Sequence, residues 1–223
     1  MIKGCLFDLD GTLLDTLATI RYYINNTLRK YGIRAISEDE TKVFVGNGAR
    51  KLVDTALASR GIDLSAEENR KLAEKITKEY TETYDTDPAY LTKPYSKIPE
   101  LIEELKKKNL RLAVISNKPN ATVKRLIELN FPGVFDIVEG GSDKYPLKPN
   151  PIWPLDICER LSISPSEVMY IGDTSTDMKT AKNFGATVAV GVLWGFRGEE
   201  ELIENGADVI VRSPSEILKI LDR

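Results

Sequence analysis

Two textures of apolar spacing divide the chain. The run from Ile2 to Asp8 is short and almost unbroken in its apolar character, the pattern of a strand buried on both faces. From Leu17 to about Tyr84 no such run recurs, and the spacing is helical. Ile20, Tyr23, Ile24, Leu28 and Tyr31 fall on one helical face, and Gly32 supplies the stop. Ser37 with Glu40 and Ser65 with Glu68 have the spacing of capping boxes that open further helices. Gly46-Asn47-Gly48 breaks the chain before a helix predicted over Ala49 to Arg60.

After Thr86-Asp87-Pro88 strands and helices alternate. Ile98, Leu101, Ile102 and Leu105 make a helical stripe, and Leu112 to Ile115 reads as a buried strand. A helix from Pro119 to Leu129 and a strand from Phe135 to Val138 follow. Helices at Pro151 to Leu161 and Thr176 to Phe184 then alternate with strands at Val168 to Ile171 and Thr187 to Val190. The last predicted strand, Asp208 to Val211, lies between two helices. Short apolar strands separated by amphipathic helices predict an α/β fold, a Rossmann-like parallel sheet with helices on both faces. The expected division is a core of residues 1–15 and 87–223, with residues 16–86 inserted as a small all-helical domain. Hinges are expected near Asp15-Thr16 and from Tyr84 to Pro88. Ligands in such sheets bind beyond the carboxyl ends of the strands.

Composition narrows the chemistry. The 223 residues include 31 Lys plus Arg and 34 Asp plus Glu, a net charge of -3. That balance gives no support to nucleic acid or an anionic membrane as partner, since both need a concentrated basic patch. Cys5 and Cys158 lack any zinc spacing and read as small core residues of a reducing compartment. No targeting or membrane-spanning pattern is read, so a cytoplasmic location is expected. The chain has no histidine, which excludes Ser-His-Asp and Cys-His catalysis and every His-ligated metal. Carboxylates, lysines, hydroxyls or a bound ion must do the chemistry.

The sharpest motif is Phe7-Asp8-Leu9-Asp10-Gly11-Thr12. Asp8 and Asp10 follow a buried strand directly and point to the same side. Two carboxylates that close favour a divalent cation or a shared proton. Four fixed residues arise by chance roughly once in 700 chains of this length. A second strand ends in Gly172-Asp173-Thr174-Ser175-Thr176-Asp177. It places Asp173 at a strand tip and Asp177 in the first turn of a helix, where helix-dipole complementarity alone could account for the residue. Together the two motifs outline an oxygen-ligand Mg2+ site from Asp8, Asp10, Asp173 and Asp177. Val114-Ile115-Ser116-Asn117-Lys118 ends a third strand, where Ser116 and the following amides could bind an anion or simply cap a helix. Lys148, restrained before Pro149, could aim its ammonium at the same anion.

These four motifs, in their order along the chain, resemble those of the haloacid-dehalogenase-like superfamily of phosphohydrolases. The resemblance covers essentially the whole chain, with the inserted helices matching that family's cap. Val45 to Ala49, Thr92 to Tyr95 and Gly191 to Phe196 look most like its phosphoglycolate phosphatase branch. The resemblance implies a Mg2+-dependent phosphatase acting on a small phosphate monoester, most closely 2-phosphoglycolate. Pyrophosphatase, other small-metabolite phosphatase and β-phosphoglucomutase-like activities are the alternatives. It implies Asp8 as nucleophile, Asp10 as acid and base, and metal bound by Asp8, the Asp10 carbonyl and Asp173, with Asp177 supporting. Thr12, Ser116, Asn117 and Lys148 would hold the phosphoryl oxygens. Dehalogenases of the superfamily lack an acid/base aspartate at the place of Asp10, so Asp10 favours phosphoryl transfer. Lys42, Arg50 and Lys51 are the cap cations expected to read a substrate carboxylate, and the protein is expected as a monomer or homodimer.

Overall fold

The computed structural model describes residues 1–221 and divides into two compact units. One comprises Met1–Asp15 and the chain from Lys93 on; the other is Thr16–Thr92. Among the described residues no helix is long and apolar enough to cross a membrane.

The first unit is a six-stranded parallel sheet in the order β5-β4-β1-β6-β7-β8. Its strands are β1 (Gly4–Phe7), β4 (Arg111–Pro119), β5 (Ile137–Gly141), β6 (Val168–Gly172), β7 (Val188–Val192) and β8 (Val209–Val211). Between and after them run α5 (Ile98–Lys107), α6 (Asn120–Asn130), α7 (Ile152–Leu161), α8 (Ser175–Phe184), α9 (Glu199–Glu204) and α10 (Pro214–Leu221). β1 is central, with Leu6 beside Ala113 on β4 and Tyr170 on β6. The chain builds outward from β1 through β4 to β5, then returns and builds outward the other way from β6. That reversal between β1 and β6 is the switch point at which such sheets open a crevice. β1, most of β4 and β6 are fully buried, which explains why their sequences are continuous apolar runs instead of alternating ones. Leu6, Ile115, Trp153, Tyr170, Met178 and Phe184 pack into the main core.

Strand ends shift from expectation, with a local cause at β4 and β5. β4 extends through Ser116 to Pro119, with an irregular register between Ser116 and Pro119. β5 begins two residues late because Phe135 is an aromatic anchor, edge-on to Phe7 at 6.2 Å and to Phe131 at 6.0 Å. A small antiparallel pair, β2 (Leu14–Asp15) with β3 (Lys93–Pro94), is new. It ties together the two places where the chain leaves and re-enters this unit.

The second unit holds α1 (Leu17–Lys30), α2 (Glu38–Phe44), α3 (Gly48–Ala58) and α4 (Glu67–Thr86). Ile20, Tyr23, Ile24 and Leu28 form the buried face of α1, and Ala73, Ile76, Tyr80 and Tyr84 that of α4. The Ser37–Glu40 capping box forms in full. The Ser65–Glu68 box does not: Ser65 donates its backbone N–H and its hydroxyl to Asp63 at 2.9 and 2.7 Å, and α4 starts without a side-chain cap. The nearer carboxylate captured the serine. The unit runs on to Thr92 instead of ending at residue 86, because Tyr23 donates to the Asp87 carbonyl at 2.9 Å and Thr19 to that of Tyr90 at 2.5 Å.

Candidate active site

Three strand ends of the first unit meet at the crevice beside β1. Asp8 leaves β1 with its N–H bonded to the Ile171 carbonyl at 2.9 Å, so it stands level with the end of β6. Gly11 turns with φ +81°, and a Cβ there would lie 2.2 Å from an Asp173 carboxylate oxygen. Only glycine permits both the turn and the approach. Thr12 is buried and donates its hydroxyl to Asp173 Oδ1 at 3.0 Å. That hydroxyl is therefore engaged by a carboxylate, where the sequence reading placed it on the phosphate.

Asp173 is gripped from a second side. Phe196 donates its N–H to Asp173 Oδ2 at 2.8 Å, and Trp194 donates its indole N–H to the Thr12 carbonyl at 3.0 Å. The turn after β7 thus holds both the Asp173 carboxylate and the loop that carries Asp8 and Asp10.

Asp177 opens α8, where Thr174 and Asp177 form a capping box, so α8 starts one residue earlier than the sequence reading placed it. Its carboxylate accepts from the Thr174 hydroxyl at 2.6 Å, from Tyr170 Oη at 3.2 Å and from Lys148 Nζ at 2.8 Å. Lys148 Nζ also lies 2.9 Å from Asp8 Oδ1, in an ion pair off the direction of a good hydrogen bond. Its side chain is 1% exposed. Asn117 fixes the lysine from behind: it accepts from the Lys148 N–H at 2.9 Å and donates to the Lys148 carbonyl at 3.2 Å. The Asn117 side chain serves Lys148, and Ser116 is the hydroxyl at the end of β4 that an anion could meet. Ser116 is buried and accepts from the Lys118 N–H at 3.3 Å.

Asp10 is held apart from the other carboxylates. Lys118 Nζ reaches both its oxygens, at 3.1 and 3.2 Å. Lys118, Tyr170, Thr174 and the Trp194–Phe196 turn were not singled out as site residues from sequence. Two signals were present: Thr174 and Asp177 have capping-box spacing, and Lys118-Pro119 repeats the Lys148-Pro149 dipeptide.

Asp8, Asp173 and Asp177 form a group that could hold a metal ion, their ligand oxygens all within 4.8 Å of one another. Burial raises the Asp8 carboxyl to about 7, the charge of Asp177 adding to the rise and Lys148 opposing it. Burial, then the charges of Asp177 and Asp8, hold Asp173 well above the usual carboxylate range. Burial pulls Lys148 down, but Asp177 and Asp8 outweigh it and keep the ammonium charged. Three buried carboxylates against one ammonium leave uncompensated negative charge on hard oxygen donors, which fits a divalent cation such as Mg2+.

In the second unit Arg50 holds Asp54 at 2.8 Å and Glu74 at 3.5 Å, and Lys42 holds Glu38 at 3.5 Å. Lys51 is exposed on α3.

Residues 5–191 match the family model for haloacid dehalogenase-like hydrolases. A phosphoglycolate phosphatase of Aquifex aeolicus is 32% identical over 99% of this chain and 97% of its own length. An N-acetylmuramic acid 6-phosphate phosphatase of Pseudomonas aeruginosa is 31% identical over 100% and 96%. Among solved structures, a candidate phosphoglycolate phosphatase of Lactobacillus delbrueckii superposes with a TM-score of 0.91 at 29% identity, covering 98% of each chain. With its aspartates and lysines gathered at the switch point of such a sheet, the chain belongs to the haloacid dehalogenase-like hydrolases as a phosphoric monoester hydrolase of their phosphoglycolate phosphatase-like branch.

Proposed function

We propose that the enzyme hydrolyses a small phosphate monoester, 2-phosphoglycolate foremost, through a phosphoryl group carried on Asp8. The observation that carries this reading is the Lys148 ammonium between Asp8 and Asp177 at 2.9 and 2.8 Å. It opposes the rise that burial imposes on the nucleophilic carboxyl and supplies a cation where phosphoryl oxygens would arrive.

Asp8 attacks phosphorus as the bond to the leaving oxygen breaks, and Asp10 gives that oxygen its proton. Asp10 then takes a proton from water, whose oxygen displaces the Asp8 carboxylate and releases inorganic phosphate. Ser116 holds the phosphoryl oxygens together with Lys148. Asp8, Asp173 and the Asp10 carbonyl would hold Mg2+, with Asp177 supporting, and the bound ion would offset repulsion between the Asp8 carboxylate and the phosphate. That compensation matters because burial otherwise favours protonated Asp8 near neutral pH.

The phosphoglycolate assignment rests on the relatives of that name. The alternative drawn from the Pseudomonas relative is a phosphorylated amino sugar acid. Of the three expected cations of the second unit, Arg50 and Lys42 hold carboxylates of their own unit, which leaves Lys51 for an acidic group.

Phosphate release should be measured from 2-phosphoglycolate, N-acetylmuramic acid 6-phosphate, pyrophosphate, glycerol phosphate and β-glucose 1-phosphate. Mg2+, a chelator and Asp8→Asn complete the set. Mg2+-dependent release, lost in Asp8→Asn and fastest on 2-phosphoglycolate, is expected. Another preference discards the substrate and keeps the mechanism. Failure to release phosphate from any ester, with conversion of β-glucose 1-phosphate, would establish the mutase instead.

A further inference from the structure

Lys118 and Asp10 belong to two different motifs of the four, and the ion pair that joins them is among the best shielded in the first unit. The Lys118 side chain is 8% exposed and that of Asp10 17%. The ammonium stands almost equidistant from both carboxylate oxygens, at 3.1 and 3.2 Å. Such a two-oxygen contact holds the head of the Asp10 side chain against the ammonium and limits how far it can swing about its Cα–Cβ bond, the lysine acting as a point charge.

The lysine itself is held. Pro119 follows it and restricts its backbone to extended conformations. Its N–H is bonded to Ser116 Oγ at 3.3 Å. The irregular register between Ser116 and Pro119 sets residues 117 and 118 to different tasks: Asn117 clamps Lys148, and Lys118 reaches across to Asp10. The strand end that offers Ser116 to an anion thereby places both site lysines.

We propose that Lys118 is the positioning residue for Asp10, holding its carboxyl group in the place from which it protonates the leaving oxygen. This rests on the acid role of Asp10 proposed above. Asp8 takes its cation from Lys148 and Asp10 from Lys118, so the two aspartates of one motif are separately anchored.

The test compares esters that need the acid with one that does not. Alkyl phosphates such as 2-phosphoglycolate and glycerol phosphate release a basic alkoxide, whereas p-nitrophenyl phosphate releases a stable phenolate. kcat/KM reads the reaction through departure of the leaving group, so its dependence on the ester isolates this step. Lys118→Met is expected to lower kcat/KM about 10- to 100-fold on both alkyl esters, within the range of general-acid effects, and less than about threefold on p-nitrophenyl phosphate. KM should stay within about twofold, and Lys118→Arg should restore most of the loss by keeping a cation on both oxygens.

Asp10→Asn must show the same selectivity more strongly. If it does not, the acid role falls and the positioning role with it. If Asp10→Asn is selective but Lys118→Met slows all three esters alike, or none, the acid role stands and the proposal is overturned. A rise in KM confined to 2-phosphoglycolate would likewise overturn it, since Lys118 would then bind the substrate carboxylate. Should Lys118→Met lose its fold by circular dichroism, Lys118→Gln carries the same comparison.

Discussion

Asp8 carries a conflict that a single substitution exposes. Its carboxyl sits at about 7 in the folded protein against 3.8 when unperturbed. Below about pH 4 both folded and unfolded chains hold the proton, and the group costs nothing. Between about 4 and 7 the unfolded chain releases its proton while the folded one keeps it, so stability falls as pH rises, and above 7 the penalty is complete. Metal-free Asp8→Asn should therefore match the wild type near pH 4 and exceed it by about 1–3 kcal/mol at pH 8. Denaturant melts at the two pH values check this, and a variant less stable than wild type at pH 8 contradicts it. The residue identities were legible because each chemical type sat at a strand end. Their partners were not: Thr12 finds Asp173 across 161 positions and Lys118 finds Asp10 across 108. No local spacing encodes where a long side chain ends.

Among the elements, the turn after β7 does more than join β7 to α9. A Cβ at Gly195 would lie 2.3 Å from the Asp173 Cβ and 2.5 Å from the Gly11 carbonyl oxygen. Gly195→Ala must push the turn off Asp173, and Mg2+ affinity is expected to fall about 10- to 100-fold, as when a ligand loses its supporting contacts. Titration calorimetry reads this, and unchanged affinity would remove the turn from the site. In the helical unit Arg60 Nη1 and Nη2 donate to Glu40 at 2.6 and 2.8 Å, and Nη2 also to the Ala35 carbonyl at 2.7 Å. Hydrogen bonding from Arg60 holds Glu40 down at about 2. The stability this gives is present above pH 4.5 and is lost as pH falls toward 2. Arg60→Ala should cost about 1–2 kcal/mol at pH 7 and less at pH 3, by denaturant melts. Elements were legible where one period ruled, as on α1. They were not where a neighbour intervened, as Asp63 did at Ser65 and Phe135 at the start of β5.

For the molecule as a whole, the alternation of strands and helices was enough to predict the parallel sheet, and the switch point beside β1 follows from its strand order. The boundary at Thr92 was beyond reach because carbonyls of Asp87 and Tyr90, which carry no side-chain signature, tie that segment to the helices. If the three buried carboxylates gathered at one crevice hold a cation as proposed, stability should depend on it. Saturating Mg2+ at about 100 times its dissociation constant should add about 2.7 kcal/mol, or roughly 5–10 °C in Tm, at pH 7.5. The gain should shrink at pH 5, where protons compete for the carboxylates. Equal gains at both pH values would argue against binding there. The proposed reaction turns on transfer of the phosphoryl group to Asp8. Turnover of 2-phosphoglycolate with Mg2+, quenched in acid and mapped by peptide mass spectrometry, should show one phosphoryl group on the Asp8 peptide and none in Asp8→Asn. A phosphoryl group on any other residue, or its absence from Asp8 throughout rapid turnover, would contradict the account.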